Sequence, residues 1–276
     1  MAGFGPAAGL SGRGDVVITV KKIFWFMPTG NEIMKLAGEL LKAGDLNPGQ
    51  RRRMLALLTN YFERVDPQNF DRDLAEKDWV IVLCDHKGEI QGFSTQMLLS
   101  TVTEGVNVRA IFSGDTIVDK QFWGDHALVK IWAQLIREVI RRFPDDKLYW
   151  FLISMGYKTY RYLPVYFYSF YPCGQQATPA FEQKILDRLA GEKFGPAYRR
   201  QDGVIHYQHP RECLRPGVAD ISAARLQDPH IKFFVERNPH FGAGDELACL
   251  VELKADNMKP FFRRIVFGRP QKEKVA

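Results

Sequence analysis

A chain of 276 residues, 46% hydrophobic and 25% charged, has the composition of a folded globular protein and is long enough for one large core with a modest appendage. No stretch approaches the roughly 18 uninterrupted apolar residues of a membrane-spanning helix. The net charge of +6 favours acidic partners without choosing among them, and no basic motif interleaved with aromatics points to nucleic acid.

Residues 1–14 are rich in Gly and Ala, lack a compact apolar run of the signal-peptide kind, and read as a disordered lead; residues 269–276 read as a disordered tail. The β-branched and aromatic residues of 16–27 predict a first strand. Ile33, Met34, Leu36, Ala37, Leu40 and Leu41 recur at helical spacing and predict a helix. A second helix is expected over 50–64, ended by Asp66-Pro67. Strands follow at 79–84 and 90–100, joined by a turn at Asp85-His86-Lys87-Gly88 in which glycine supplies the positive φ. The next strand covers 107–118. It runs through Gly124 into a helix whose inner face carries Leu128, Ile131, Trp132, Leu135, Ile136 and Val139. Residues 148–153 form a wholly apolar strand of the buried central type. An aromatic-rich helix over 156–171, kinked at Pro164, comes after it. Residues 173–229 are punctuated by Pro and Gly around a helix at 181–190, and two strands at 231–236 and 246–253 complete the order.

The four cysteines are far apart and have no C-x-x-C spacing, so neither a zinc site nor a disulfide framework is expected, and a reducing cytoplasm is the default. Cys173 with His206 or His209 lacks a helix N-terminus to activate a thiol. His206, His209, His230 and His240 show no i,i+4 pair, so no metal is expected.

The stretch from Phe112 to Arg142 carries the chemistry. A strand that turns at Gly124 directly into a helix leaves free backbone N–H groups at the positive end of the helix dipole, which suits a phosphate or pyrophosphate.

This element order, with that turn, resembles the GNAT superfamily of N-acyltransferases. The resemblance is carried by Asp85–Phe93, by Val118-Asp119-Lys120-Gln121-Phe122-Trp123-Gly124-Asp125-His126-Ala127, and by the apolar strand 148–153 with its Tyr-rich successor. It implies an α/β (α+β) fold with a mixed, mostly antiparallel sheet splayed between the fourth and fifth strands and flanked by helices. A single domain is then expected over 15–172 and 230–268, with 173–229 as an insertion packing on it. It also implies an acyl-CoA or acyl-carrier-protein thioester as donor, its phosphopantetheine arm in the splay, and an amine acceptor that attacks the thioester directly in a ternary complex. Acyl-homoserine-lactone synthases and long-chain N-acyl amino acid synthases are relatives of comparable length; a lipid product would add peripheral membrane contact.

By the same resemblance, Gln121 and Gly124 fit the pyrophosphate loop, while His126 stands where the family has a second glycine. Gln121, Phe122, Trp123, Gly124, Asp125, His126 and Ala127 would hold the donor. A backbone N–H near Ile117 or Val118 would serve the oxyanion. Asp115 is the candidate proton acceptor, and Tyr166, with Tyr168 beside it, the candidate proton donor to the leaving thiolate. The aromatic density of 160–171 suits a medium, long or aromatic acyl chain. The His126 departure and the lack of a glutamate base equally suit a relative that binds a thioester or a protein partner without turnover.

Overall fold

The structure is a computed structural model that describes residue 18, residues 36–208 and residues 212–268. Its centre is an eight-stranded sheet in the order β1 (Ala37–Lys42), β3 (Trp79–Cys84), β4 (Ile90–Thr103), β5 (Val106–Val118), β6 (Lys147–Ser154), β10 (Glu246–Glu252), β8 (Val204–Ile205) and β7 (Tyr198–Arg199). Every pairing is antiparallel except β5 with β6. A parallel pair needs a crossover, and α3 (Ala127–Arg142) supplies it. The short strands β2 (Phe62–Glu63) and β9 (Cys213–Leu214) pair separately. The fold is thus the mixed, mostly antiparallel, helix-flanked sheet that the sequence leads one to expect.

One face of the sheet carries Trp79, Ile81, Ile111, Trp150, Leu152, Cys249 and Val251 against α3. That face also receives α4 (Tyr157–Tyr160), α5 (Tyr162–Tyr166), α7 (Pro229–Arg237) and α8 (Pro260–Phe267). The opposite face has two separate cores. Val80, Val82, Phe93 and Ile117 lie under α1 (Pro48–Tyr61) and α2 (Pro67–Ala75). Met97, Ala110, Phe112, Phe151 and Leu250 lie under α6 (Ala180–Phe194). A seam between these two helix groups therefore crosses the sheet near the middle of β5.

Several elements differ from the sequence reading. The strand expected over 16–27 lies outside the described residues apart from Ile18. Residues 37–42, expected to be helical, form β1, registered from Ala37 on Cys84 to Lys42 on Trp79; six residues are too few for helical periodicity to outweigh a free sheet edge. The helix expected over 50–64 stops at Tyr61, where Phe62–Glu63 pairs as β2, so Asp66-Pro67 does not end it but starts another: Asp66 accepts from the Gln68 N–H and Pro67 opens α2. The strand expected over 231–236 is the helix α7. Its cap, Asp228, accepts from the N–H groups of His230 and Ile231, and Ile231 and Phe234 are buried one turn apart. The long aromatic helix breaks into α4 and α5, after which the chain runs extended and Tyr171 exchanges both backbone hydrogen bonds with Leu250. Residues 173–229 do more than pack on the sheet: they supply its last two strands, β8 and the edge strand β7, as well as α6.

Candidate active site

The parallel ladder of β5 and β6 begins at Val108 on Lys147 and stops at Ser113 on Leu152, although β5 continues to Val118 and β6 to Ser154. Beyond that row β5 stays paired to β4 alone, up to Val118 on Gly92. The two strands part there, and a wedge opens between them. A chain of side-chain hydrogen bonds marks the row on the α3 face. Trp150 Nε1 donates to Ser113 Oγ (3.0 Å), which donates to Gln96 Oε1 (2.9 Å). Gln96 Nε2 donates to Ser94 Oγ (2.7 Å), which bonds Thr116 Oγ1 (2.7 Å). Ser94, Gln96 and Ser113 are all buried, so the chain fixes where the strands separate.

Backbone direction follows from the ladder. The Asp119 N–H donates to the Gln91 carbonyl on β4, whereas the Val118 carbonyl accepts from Trp123 Nε1 (2.9 Å). Because N–H and C=O of one strand residue point to the same edge, Ile117 faces β4 and Val118 faces the wedge. Of the two N–H groups named from sequence, the one that reaches the wedge is that of Val118.

The register between β4 and β5 slips between Ser94 and Gln96: Thr116 pairs with Ser94 and Ser113 with Gln96, leaving Gly114 and Asp115 opposite Thr95 alone. This bulge turns both residues to the face away from α3, into the seam between α2 and α6. A Cβ on Gly114 would meet Thr95 Oγ1 at 2.6 Å and Lys77 Cε at 3.0 Å, so only glycine leaves room for the lysine stem. Lys77 is buried and its Nζ binds the Asp73 carboxylate (2.5 Å) and carbonyl (3.0 Å). Burial first, then the charge of Asp73, raises the Asp115 carboxyl from 3.8 to about 7; Lys77 opposes the shift and Glu212 adds to it. Asp115 is therefore poised to exchange a proton near neutrality, as a general base requires.

The loop after β5 is built as a strand-to-helix turn. Asp119 accepts from the Gln121 N–H, the chain makes a 3-10 turn over Lys120–Phe122, and Gly124 takes φ +98°. Phe122 is buried in the core, while Gln121, Trp123, Gly124 and His126 are exposed. The Asp125 carboxylate accepts from the Ala127 N–H (2.6 Å) and the Leu36 N–H (3.1 Å). The positive end of α3 thus already meets a negative charge from its own chain. The His126 ring lies edge-on to Phe261, their centroids 6.1 Å apart.

On the α3 face, Tyr166 is buried, its ring stacked on Tyr162 (5.7 Å) and Phe262 (4.8 Å). Burial, then Tyr162, pushes its phenol up to about 12. It lines a cavity of 430 Å3 together with Tyr157, Lys158, Arg161, Arg225 and Asp228. Lys158 stands 3.7 Å over the Trp123 ring, which sets this cavity beside the loop and the wide end of the wedge. Tyr168 is exposed, its N–H bonded to the Asn257 carbonyl, and lies outside that lining. Tyr160, Phe167 and Phe170 are core residues. Asp115 and Tyr166 thus occupy opposite faces of the sheet.

Sequence reasoning missed the residues that come from far along the chain: Lys77, Glu212, Lys158, Arg161 and Arg225. Their one legible signal was charge, which by itself marks solvated faces far more often than sites. Cys173 and His206 are not brought together. Cys173 Sγ faces the Gln176 carbonyl (3.8 Å), His206 Nδ1 bonds Asp245 (2.8 Å), and His209 lies outside the described residues. Among the described residues no three His, Cys, Asp or Glu side chains gather as metal ligands, and no helix is long and apolar enough to cross a membrane.

No protein-family model and no curated protein matches the chain. Among solved structures it is similar to a GNAT family N-acetyltransferase from Escherichia coli in complex with CoA, at 12% identity over 48% of this chain and 68% of that one, with a TM-score of 0.32. It is similar to glucosamine-6-phosphate N-acetyltransferase from Arabidopsis thaliana at 18% identity over 42% of this chain and 80% of that one, TM-score 0.32. A conserved protein of unknown function from Enterococcus faecalis V583 overlaps 79% of this chain and 67% of its own, at 11% identity and TM-score 0.38. Likeness this loose assigns neither an activity nor a ligand to the chain.

Proposed function

We propose that this chain is an N-acyltransferase that moves an acyl group from a CoA or acyl-carrier-protein thioester to an amine by direct attack in a ternary complex. The observation that supports the reading is the wedge that opens where β5 and β6 part beyond Ser113 and Leu152, with a carboxyl group raised to about 7 on one face of the sheet and a buried phenol on the other. The pantetheine arm would lie in the wedge with the thioester carbonyl oxygen toward the Val118 N–H. Asp115 would take a proton from the acceptor ammonium, directly or through a water, so that the amine lone pair can attack the carbonyl carbon. Collapse of the tetrahedral adduct breaks the C–S bond; Tyr166 would hand its proton to the departing thiolate and be reprotonated by the proton that the nitrogen still has to lose, while Asp115 gives up its own to solvent. The acceptor would enter by the seam between α2 and α6.

The aromatic run that suggested a long or aromatic acyl chain is largely core, so short and long donors belong in one test. Thermal stabilisation by CoA, acetyl-CoA, a long-chain acyl-CoA and an acyl-carrier-protein thioester comes first, followed by thiol release with amine pools. Stabilisation with turnover supports the enzyme.

A second reading is favoured by the Asp125 carboxylate at the α3 N-terminus, where an active loop would receive phosphate. On that reading the chain binds a thioester or a protein partner without turnover, and the same panel gives stabilisation with no thiol release.

A further inference from the structure

A donor arm lying in the wedge would share its wide end with residues 212–219, which cross it. On one side these residues rest on the end of β6. A Cβ on Gly156, just past Ser154, would meet Leu214 Cδ1 at 2.9 Å and Ala219 Cβ at 3.4 Å. Gly156 has φ −121° and ψ 141°, a backbone that any residue adopts, so it is the crossing chain that leaves room for glycine alone. Beside it the Glu212 carbonyl oxygen lies 2.7 Å from where a Cβ on Gly244 would stand.

On the other side the same residues hold to the end of α1. Cys213 pairs with Glu63 and Leu214 with Phe62. The Arg215 N–H donates to the Tyr61 carbonyl (2.9 Å), and Arg215 Nε donates to the Thr59 carbonyl (3.0 Å). Tyr61 in turn marks the end of β5, since its hydroxyl accepts from the Lys120 N–H (2.6 Å). The crossing chain therefore bridges both strands that part. It also straddles the two faces: Leu214 packs with the core on the α3 face, and Val218 with the core under α1 and α2. The Glu212 charge stands near enough to Asp115 to raise that carboxyl.

This bridge is lightly fastened. A ladder of two residue pairs is marginal by itself. The ion pair of Arg215 with Glu63 is exposed and 3.9 Å long, and such pairs add little. Lys158 contributes one further bond, from its Nζ to the Val218 carbonyl (2.6 Å).

Resting on the acyltransferase reading, we infer that residues 212–219 form a strap that closes the wide end of the wedge, and that a thioester donor must displace it from β2 to enter.

Glu63→Cys tests this, because it sets a second thiol opposite Cys213 in the ladder. Opposed residues of an antiparallel pair stand about 4.5–5.5 Å apart at Cα, within the reach of a disulfide. Titration calorimetry with CoA and 4′-phosphopantetheine compares the full-length variant oxidised by glutathione disulfide, the same variant after reduction, and the native chain treated alike. The inference expects affinity in the oxidised variant to fall at least about tenfold, since only the open fraction binds, and to return to the native value on reduction. Equal affinity in the oxidised and reduced variant, with the bridge confirmed by mass, would overturn the inference and leave the acyltransferase reading standing. Where the bridge does not form, hydrogen exchange of the native chain decides. The Arg215 amide should exchange faster with CoA bound, and unchanged or slower exchange overturns the strap. No binding of either compound to the native chain would sink the acyltransferase reading, and the strap's role with it.

Discussion

Replacing Asp115 by asparagine removes a carboxyl group whose ionisation the fold resists. In an unfolded chain this group loses its proton near 3.8; in the fold it keeps it to about 7. Between those values the folded state binds the extra proton, so this residue's contribution to stability declines as pH rises from about 4 to about 7 and is constant above. At about 1.4 kcal/mol per pH unit the full span amounts to about 4 kcal/mol, and the partial exposure of Asp115 brings the expected effect to about 1–4 kcal/mol. Asp115→Asn should therefore match the native protein at pH 4 and exceed its stability by that amount at pH 8. Urea unfolding at several pH values measures the difference directly. A difference that does not change from pH 4 to pH 8 would refute the reasoning, because a normally ionising carboxylate gives no such slope. On the acyltransferase reading the same substitution abolishes a rise in rate centred near pH 7, so the more stable protein would be the less active one.

Ser113→Ala leaves Gln96 Oε1 and Trp150 Nε1 buried without their shared partner, at a cost of about 1–3 kcal/mol, readable as a lower urea midpoint. An unchanged midpoint would mean that the polar chain does not fix the parting of β5 and β6. Asp125→Ala removes the acceptor of two backbone N–H groups and should cost about 0.5–2 kcal/mol in thermal melts, while the affinity for inorganic phosphate at the loop rises once the carboxylate is gone. Tyr166→Phe keeps the ring stack and removes the phenol; kcat with a thioester donor should fall about 100-fold with donor binding unchanged, and an unaltered kcat would reduce Tyr166 to packing.

How far the sequence alone reaches depends on how local each signal is. The strands at 79–84 and 90–100, the turn at Asp85–Gly88 and the amphipathic α3 carry their pattern within a dozen residues, and all are found where expected. β1 and α7 went wrong in opposite directions for one reason: short apolar segments fit either period, so the outcome rests on what lies beside them. For Ala37–Lys42 that was an open edge of β3, and for Pro229–Arg237 the Asp228 cap. At the site, Asp115 could be singled out from sequence because it lies on the strand just before the loop. Its setting could not, since Lys77, Asp73 and Glu212 arrive from other elements. The loop's glycine was visible, but the bond from Asp125 to the Leu36 N–H, across 89 positions, has no sequence mark.

The bulge at Gly114 and Asp115 makes the carboxylate an addition to the strand rather than part of its plan. With Asp115 deleted, Gly114 would oppose Thr95, Thr116 would still oppose Ser94, and every flanking side chain would keep its present face. The scaffold is thus complete on either side of that one residue. On the acyltransferase reading, a single codon gained or lost there would switch the proton acceptor on or off with no slip in β5, so a one-residue deletion tests that chemistry apart from the architecture more cleanly than any substitution.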